Sequence, residues 1–472
     1  MQFYKTIMPL ISSVSGIRGT IGGKATMNLT PIDTVNFAAA YGMWIKDLKP
    51  QLPESNYIVI GRDARPSGKM VYELVANTLI AMGFDVINLG ITTTPTVEMA
   101  VPYYQALGGI ILTASHNPVE WNALKLLNHQ GEFISAQEGE KILFNYRHQT
   151  AEFASVYQIG TIQEVSDFLP IHISKILELP YVKKELIAQK KYKVAVDGIN
   201  SSGEIAVPAL LQSLGIPENH IFKVQKTMDG WFTHNPEPLA QNLTDLCQCV
   251  VQNQCDLGIA VDPDVDRLVL VNEKGELFGE EYTLVAVADY ILSQKPGATV
   301  SNLSSSRALQ DLTNSYQQNY FTAAVGEVHV VKKMKEVQAV IGGEGNGGII
   351  LPDLHYGRDA LVGIALFLSF LAQSSMTCSE LKKKYRHYEM IKDKIELTPD
   401  IPLDIILKSL TEHFHNEKVT TIDGVKIDFE NGWVHLRKSN TEPIIRIYAE
   451  AENEKEAQNL VNQVKNLVLT TL

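Results

Sequence analysis

Cysteine is scarce in this chain: Cys247, Cys249, Cys255 and Cys378 are the only four in 472 residues. The first three lie close together, but no second pair and no His-x-x-x-His stands at zinc-finger spacing. That pattern reads as free thiols in a reducing compartment rather than as a metal site or a disulfide framework. Long apolar runs are missing too. The longest candidate, Leu361 to Ala372, is 12 residues and contains Gly363 and Ser369, whereas a membrane span needs about 20. It reads as a buried helix. The N-terminus has a short apolar patch but no apolar core followed by a small-residue cleavage site. Positive charge is also in deficit. Lys plus Arg number 41 against 53 Asp plus Glu, a net charge of −12. Nucleic acids and anionic membranes need a positive surface, so neither is an expected partner. Small anionic substrates remain open, because they need only a local cluster of Lys and Arg. The expectation is a cytoplasmic enzyme.

What is present is a repeated alternation of apolar runs and amphipathic segments. Asn56 to Ile60, Phe84 to Leu89 and Gly108 to Leu112 read as strands, with helical spacing over Met70 to Met82. The same rhythm returns from Tyr192 to Val196 through Leu257 to Val261, and again from near Glu281 through Ala339 to Gly343. Strands alternating with helices indicate α/β layers. The last stretch differs, with half-buried alternation in TTIDGVKIDF and WVHLRKS, then a strand and an amphipathic terminal helix. The expected fold is therefore α/β, with three similar α/β domains on mixed sheets followed by a smaller α+β C-terminal domain. The expected boundaries are 1–163, 164–277, 278–390 and 391–472.

Four places carry residues that ask for chemistry. Thr113-Ala114-Ser115-His116-Asn117-Pro118 follows the strand GGIIL directly, so a hydroxyl sits at the carboxyl end of a strand, where open α/β sheets place ligands. Asn117-Pro118 favours a turn that can hold Ser115 outward. Asp262-Pro263-Asp264-Val265-Asp266-Arg267 puts three carboxylates at i, i+2 and i+4 between two apolar strands. Such a cluster repels itself unless a cation neutralises it, and hard oxygen ligands suit Mg²⁺ or Ca²⁺. An EF-hand is rejected: position 6 is Arg267 rather than Gly, and strands flank the loop. Gly342 to Gly348 contains a literal G-x-G-x-x-G, yet Pro352 breaks the helix that a dinucleotide site would need. A glycine-rich loop bearing Glu344 and Asn346 can instead approach a polyhydroxyl ligand closely. Arg437 to Pro443, with Arg446 beyond, offers cations, hydroxyls and turn N–H groups to a phosphate. On spacing alone, a helix cap, a solvated acidic turn, a structural glycine turn and a charged hairpin remain the plain alternatives.

The four motifs in this order resemble the α-D-phosphohexomutase family over essentially the whole chain. T-A-S-H-N-P resembles its phosphoserine loop, D-P-D-V-D-R its magnesium loop, G-E-G-N-G-G its sugar loop and R-K-S-N-T-E-P its phosphate loop. The resemblance implies that Ser115 is the phosphoryl donor, with His116 and Arg267 beside it. Ser115, Asp262, Asp264 and Asp266 would hold Mg²⁺, and Lys125 matches a lysine of acid–base work. Glu344 and Asn346 would read sugar hydroxyls. Arg437, Ser439, Asn440, Thr441 and Arg446 would grip the substrate phosphate, and Arg18 and Arg62 match positions near the substrate. Many members carry D-G-D-G-D-R, so Pro263 and Val265 stiffen this loop. The sugar loop is similar to archaeal-type members, and R-x-S-x-T-E-P-x-x-R is most similar to phosphoglucosamine mutases.

The implied reaction interconverts a hexose 6-phosphate and 1-phosphate by two transfers. Glucose or glucosamine 1,6-bisphosphate would serve as intermediate and activator, glucosamine phosphate being the first expectation for substrate. A phosphomannomutase/phosphoglucomutase of the same mechanism is the alternative. A metal-dependent sugar phosphatase is the more distant rival, having no need of a second phosphate clamp. A regulator on an inactive scaffold would have lost the serine or the carboxylates, and both are intact. A phosphohexose is the expected partner, with the chain a monomer or homodimer.

Overall fold

Gly108-Gly109-Ile110-Ile111-Leu112 is apolar at every position, and in the computed structural model all five residues are buried. The strand lies mid-sheet, parallel to Tyr57–Arg62 and antiparallel to Trp121–Leu127. Each such aliphatic side chain contributes about 1.5–3 kcal/mol by leaving water. Gly108 is required by a close approach, since a Cβ there would stand 2.1 Å from the Tyr41 hydroxyl, which donates to Leu127 O. The structure describes residues 10–13, 16–49, 54–165, 168–396, 403–438 and 444–471.

The chain divides into two compact units, Met1–Thr283 with Gly348–Ser379, and Leu284–Gly347 with Glu380–Leu472. The first unit holds two sheets. One runs Ile11–Ser13, Gly16–Thr20, Trp121–Leu127, Gly108–Leu112, Tyr57–Arg62, Asp85–Ile91, Ile162–Glu164, parallel at one end and antiparallel at the other. The other runs Leu268–Asn272, Leu257–Val261, Val194–Asp197, Ile221–Lys223, with its first pair antiparallel and the rest parallel. The apolar run expected to be a buried helix is the helix Ala360–Ser374, capped by Asp359 Oδ1, which accepts from Leu361 N at 2.8 Å and Val362 N at 3.3 Å. Helix Thr94–Tyr103 starts from the Thr93 side-chain cap with Pro95 in its first turn, where the missing N–H costs nothing.

In the second unit, Thr299–Asn302 lies between Tyr320–Ala323 and Ile341–Glu344, all parallel. The five-stranded sheet Glu389–Glu396, Ile444–Ala451, Gly432–Lys438, Val425–Phe429, Lys418–Thr420 is antiparallel throughout. Helices Leu403–His413 and Glu454–Thr471 close its core. Three α/β layers and a smaller α+β domain are thus the architecture of the chain. The four cysteines are unpaired, and among the described residues no helix is long and apolar enough to cross a membrane.

Candidate active site

Ser115 stands just beyond the strand Gly108–Leu112 at φ +49°, in the left-handed region that non-glycine residues avoid. Such a conformation costs about 1–3 kcal/mol and persists only where its surroundings impose it. Here they do. Ser115 N donates to Thr113 Oγ1 at 2.9 Å, and Thr113 Oγ1 donates to Asp63 Oδ2 at 2.6 Å. The fully buried Arg65 donates from Nε to Asp63 Oδ2 at 2.9 Å. Its guanidinium also donates to the carbonyls of Ser115, Asn117, Pro118 and Trp121 at 2.5–3.1 Å. One cation therefore staples the whole turn, its charge balanced by Asp63.

The Ser115 hydroxyl donates to Asp262 Oδ2 at 2.7 Å. Asp262, Asp264 and Asp266 are each fully buried, and one oxygen from each lies within 4.8 Å of the others. Asp262 Oδ1 closes the loop by accepting from Asp266 N and Arg267 N. Asp264 Oδ2 accepts from Thr94 Oγ1 at 2.5 Å and Lys125 Nζ at 2.7 Å. Asp266 Oδ2 accepts from Arg358 Nη2 at 2.7 Å and Lys125 Nζ at 3.5 Å. Asp264 Oδ1 and Asp266 Oδ1 are buried with no hydrogen-bond partner among the described residues. Buried anionic oxygens without partners are costly, so two of them beside a third carboxylate fit a hard dication such as Mg²⁺. The electrostatics agree. Burial, then repulsion from Asp266 and Asp264, holds the Asp262 carboxyl well above its usual range. Burial works to raise Asp266 too, but Arg358, Lys125 and Arg267 outweigh it and hold that carboxyl below its usual range. Burial opposes the Lys125 charge, but Asp264 and Asp266 keep its pKa above the ordinary lysine value.

His116 Nδ1 lies 3.3 Å from Ser115 Oγ. Burial, then Arg267 and Arg18, push its pKa well below the ordinary value, so the ring is neutral at pH 7. Arg18 Nη1 donates to Asn117 Oδ1 at 3.1 Å, and Arg267 Nε is buried without a hydrogen-bond partner among the described residues.

In the second unit, Glu344 Oε1 accepts from Asn302 Nδ2 at 2.8 Å and Gly326 N at 3.0 Å. Gly345 N donates to Ser305 Oγ at 3.1 Å, and Asn346 is half-buried. In the antiparallel sheet, Arg446 lies directly opposite Arg437 on one side and Lys394 on the other. Directly opposed residues share a face, and like charges there repel. Three cations therefore stand in a row across three strands. Arg437 Nε is buried with no hydrogen-bond partner among the described residues.

Four family profiles match in chain order: phosphoglucomutase/phosphomannomutase α/β/α domain I over residues 10–152, domain II over 170–275, domain III over 279–388 and the C-terminal domain over 393–467. The chain belongs to the phosphoglucomutase/phosphomannomutase family. A phosphoglucomutase/phosphomannomutase of Thermococcus kodakarensis is 33% identical over 447 residues, covering 93% of this chain and 95% of that one. A phosphoglucosamine/phosphogalactosamine mutase of Sulfurisphaera tokodaii is 30% identical over 470 residues, covering 98% and 99%. Among solved structures, a phosphoglucomutase/phosphomannomutase family protein of Burkholderia thailandensis shares the fold with a TM-score of 0.82 at 22% identity, covering 100% of this chain and 98% of that one.

In this mutase-family chain, Ser115, His116, Lys125, Arg18, Arg267 and the three aspartates are brought together in the first unit. Arg62 is not among the groups around the Ser115 hydroxyl. It ends the strand Tyr57–Arg62 and donates from Nη1 to Asp63 O at 3.1 Å. The arginine that grips the serine turn is Arg65, three residues on in the same G-R-D-A-R segment. Sequence reasoning also missed Arg358, Thr94 and Lys394. The first two approach the triad from segments without any motif, and Lys394 becomes visible only through strand register. Ser439, Asn440 and Thr441 lie outside the described residues.

Proposed function

We propose that this chain interconverts the 6- and 1-phosphates of a hexose through phospho-Ser115 and a hexose 1,6-bisphosphate, with glucosamine phosphate the preferred substrate. The observation that carries this reading is the Ser115 hydroxyl seated on Asp262, with two unpartnered carboxylate oxygens beside it. In the forward transfer the phosphorus–oxygen bond to Ser115 breaks as one forms to a sugar hydroxyl, whose proton leaves to a base. In the second transfer, the other phosphate of the bisphosphate returns to Ser115. The bisphosphate, of glucose or glucosamine, also recharges an enzyme that has lost its phosphate.

Asp262, Asp264, Asp266 and the Ser115 phosphate would hold Mg²⁺. When bound, the ion supplies positive charge to the transferring phosphoryl oxygens. Lys125, carried as the ammonium, is suited to give a proton rather than take one. Neutral His116 is placed to receive one at Nδ1. Arg65 keeps the serine turn in its strained geometry through both transfers. Glu344, with Asn346, reads the sugar, and its carboxylate suits a 2-ammonium group. The row Lys394, Arg446 and Arg437, with Ser439, Asn440 and Thr441, holds the phosphate that is not reacting. A hydrolase has no need of that second clamp, which favours a mutase over a phosphatase. The free thiols and the small phosphorylated substrate fit a cytoplasmic enzyme acting as a monomer or homodimer.

The test is kcat/KM for glucosamine, glucose and mannose phosphates under one set of conditions. Glucosamine phosphate should lead, with glucose phosphate a side activity. A tenfold advantage for glucose or mannose phosphate, about 1.4 kcal/mol in the transition state, overturns the preference and leaves the mutase reading standing. Net release of inorganic phosphate without isomerisation overturns the mutase reading itself.

A further inference from the structure

Two imidazoles in the first unit converge on a single carboxylate oxygen outside the Ser115 site. His172 Nε2 lies 3.0 Å, and His355 Nε2 3.4 Å, from Asp359 Oδ2. The side chains of His172 and Asp359 are fully buried, and that of His355 keeps 12% of its surface exposed. Ligand atoms of the three residues all lie within 4.8 Å of one another. The outer nitrogen of each ring is met by the same helix, Thr94–Tyr103. His172 Nδ1 is 3.0 Å from Thr96 Oγ1, and His355 Nδ1 is 3.5 Å from Glu98 Oε2. Glu98 packs so closely on the backbone that a Cβ on Gly357 would meet its Oε2 at 1.9 Å. Asp359 Oδ1 is already committed to the helix cap, so Oδ2 is the oxygen left to face the rings.

Histidines that bind metal have this construction. The outer nitrogen rests on a carboxylate, carbonyl or other polar group that fixes the ring, and the inner nitrogen points at the ion. A tetrahedral ion with bonds of about 2.0–2.1 Å separates adjacent ligand atoms by roughly 3.3 Å. The two measured separations, 3.0 and 3.4 Å, fall on either side of that value. Imidazole favours zinc and its borderline neighbours over magnesium, so this cluster differs in chemistry from the all-carboxylate triad. We propose that His172, His355 and Asp359 form a second metal site that takes a zinc-class dication, with the fourth position left to water at the exposed edge of His355.

The placement gives such an ion a structural task. Arg358, adjacent to Asp359, puts its guanidinium on Asp266. Ala360 N donates to Val265 O. Thr94, one turn before Glu98, donates to Asp264. An ion at the second site would brace both segments that back the aspartate loop. The site stands independently of the mutase reading.

The experiment uses the full chain, stripped with a chelator and then dialysed against Zn²⁺ or Co²⁺ in excess Mg²⁺ to keep the triad filled. The expected result is one retained equivalent of zinc, a visible Co²⁺ spectrum of tetrahedral nitrogen–oxygen ligation, and a higher melting temperature. His355→Gln should bind zinc at least tenfold more weakly, while Asp264→Asn keeps the equivalent. The proposal is overturned if wild-type protein retains no stoichiometric zinc, or if its Co²⁺ spectrum is that of an all-oxygen octahedral site. Retention by His355→Gln at wild-type affinity also overturns it. In each case the cluster is a hydrogen-bonded His–Asp–His network only. Should His355→Gln fail to fold, the wild-type stoichiometry and spectrum still decide.

Discussion

Ser115 Oγ donates to Asp262 Oδ2 at 2.7 Å across 147 residues of sequence. Each partner belongs to a loop held in an unfavourable backbone state, Ser115 at φ +49° and Val265, inside the aspartate loop, at φ +63°. A β-branched residue in the left-handed region is an outlier. Val265 is held there by its own N–H to Asp262 O at 3.0 Å and by complete burial. Two strained turns pinned against each other fix a hydroxyl on a carboxylate.

Replacing Ser115 by Ala should abolish nearly all mutase turnover, by several powers of ten, because a covalent carrier has no substitute. The fold should persist, since Arg65 binds the turn through carbonyls and not through the hydroxyl. Intact-mass spectrometry should lose any phosphorylated species of the parent. Near wild-type turnover in this variant would remove Ser115 from the mechanism.

Activity should require a divalent cation, and Asp264→Asn should raise the Mg²⁺ concentration needed for half-maximal rate while lowering the maximum. The substitution removes one anionic oxygen from a three-carboxylate set and weakens the hold on Lys125. Rates titrated against Mg²⁺ in both proteins give the comparison. Full wild-type activity in excess EDTA contradicts the metal assignment.

Arg446→Ala should raise KM about tenfold to a hundredfold with a smaller change in kcat. A clamp on the non-reacting phosphate binds ground and transition states alike. A charged hydrogen bond of this kind is worth about 1.5–3 kcal/mol. An unchanged KM for every phosphohexose would show that the cationic row does not hold substrate.

Glu204 makes the first unit's stability pH-dependent. Burial, above all, pushes its carboxyl up to about 7, and Oε2 is buried without a hydrogen-bond partner among the described residues. In the unfolded chain the group titrates near 4.5. Between these values the folded state holds a proton that the unfolded state lacks, so stability falls as pH rises through this window. The loss attributable to Glu204 is at most about 3 kcal/mol. Glu204→Gln should therefore gain on wild type at pH 8 relative to pH 4.5 in denaturant titrations. An equal difference at both pH values would refute the assignment.

The alternation of strands and helices, the buried helix over Leu361 to Ala372 and the loops carrying Ser115 and the aspartates were legible without a structure. Hydrophobic periodicity and turn chemistry are local, and each motif lies within a few residues. Excluding a nucleotide helix after the glycine loop likewise needed only Pro352, and the chain there forms the strand Gly348–Ile350. Which further side chains surround these loops was decided by the tertiary fold. Arg62 and Arg65 share one segment, yet only Arg65 turns under Ser115, because its partners are carbonyls about 50 residues away. Arg358 and Lys394 look like ordinary charged residues until packing sets one on Asp266 and strand register sets the other beside Arg446. His172 and His355, 183 residues apart, meet only through the carboxylate they share. Local sequence dictates backbone shape over a few residues, whereas burial and charge compensation between distant segments choose the side chains that do the chemistry.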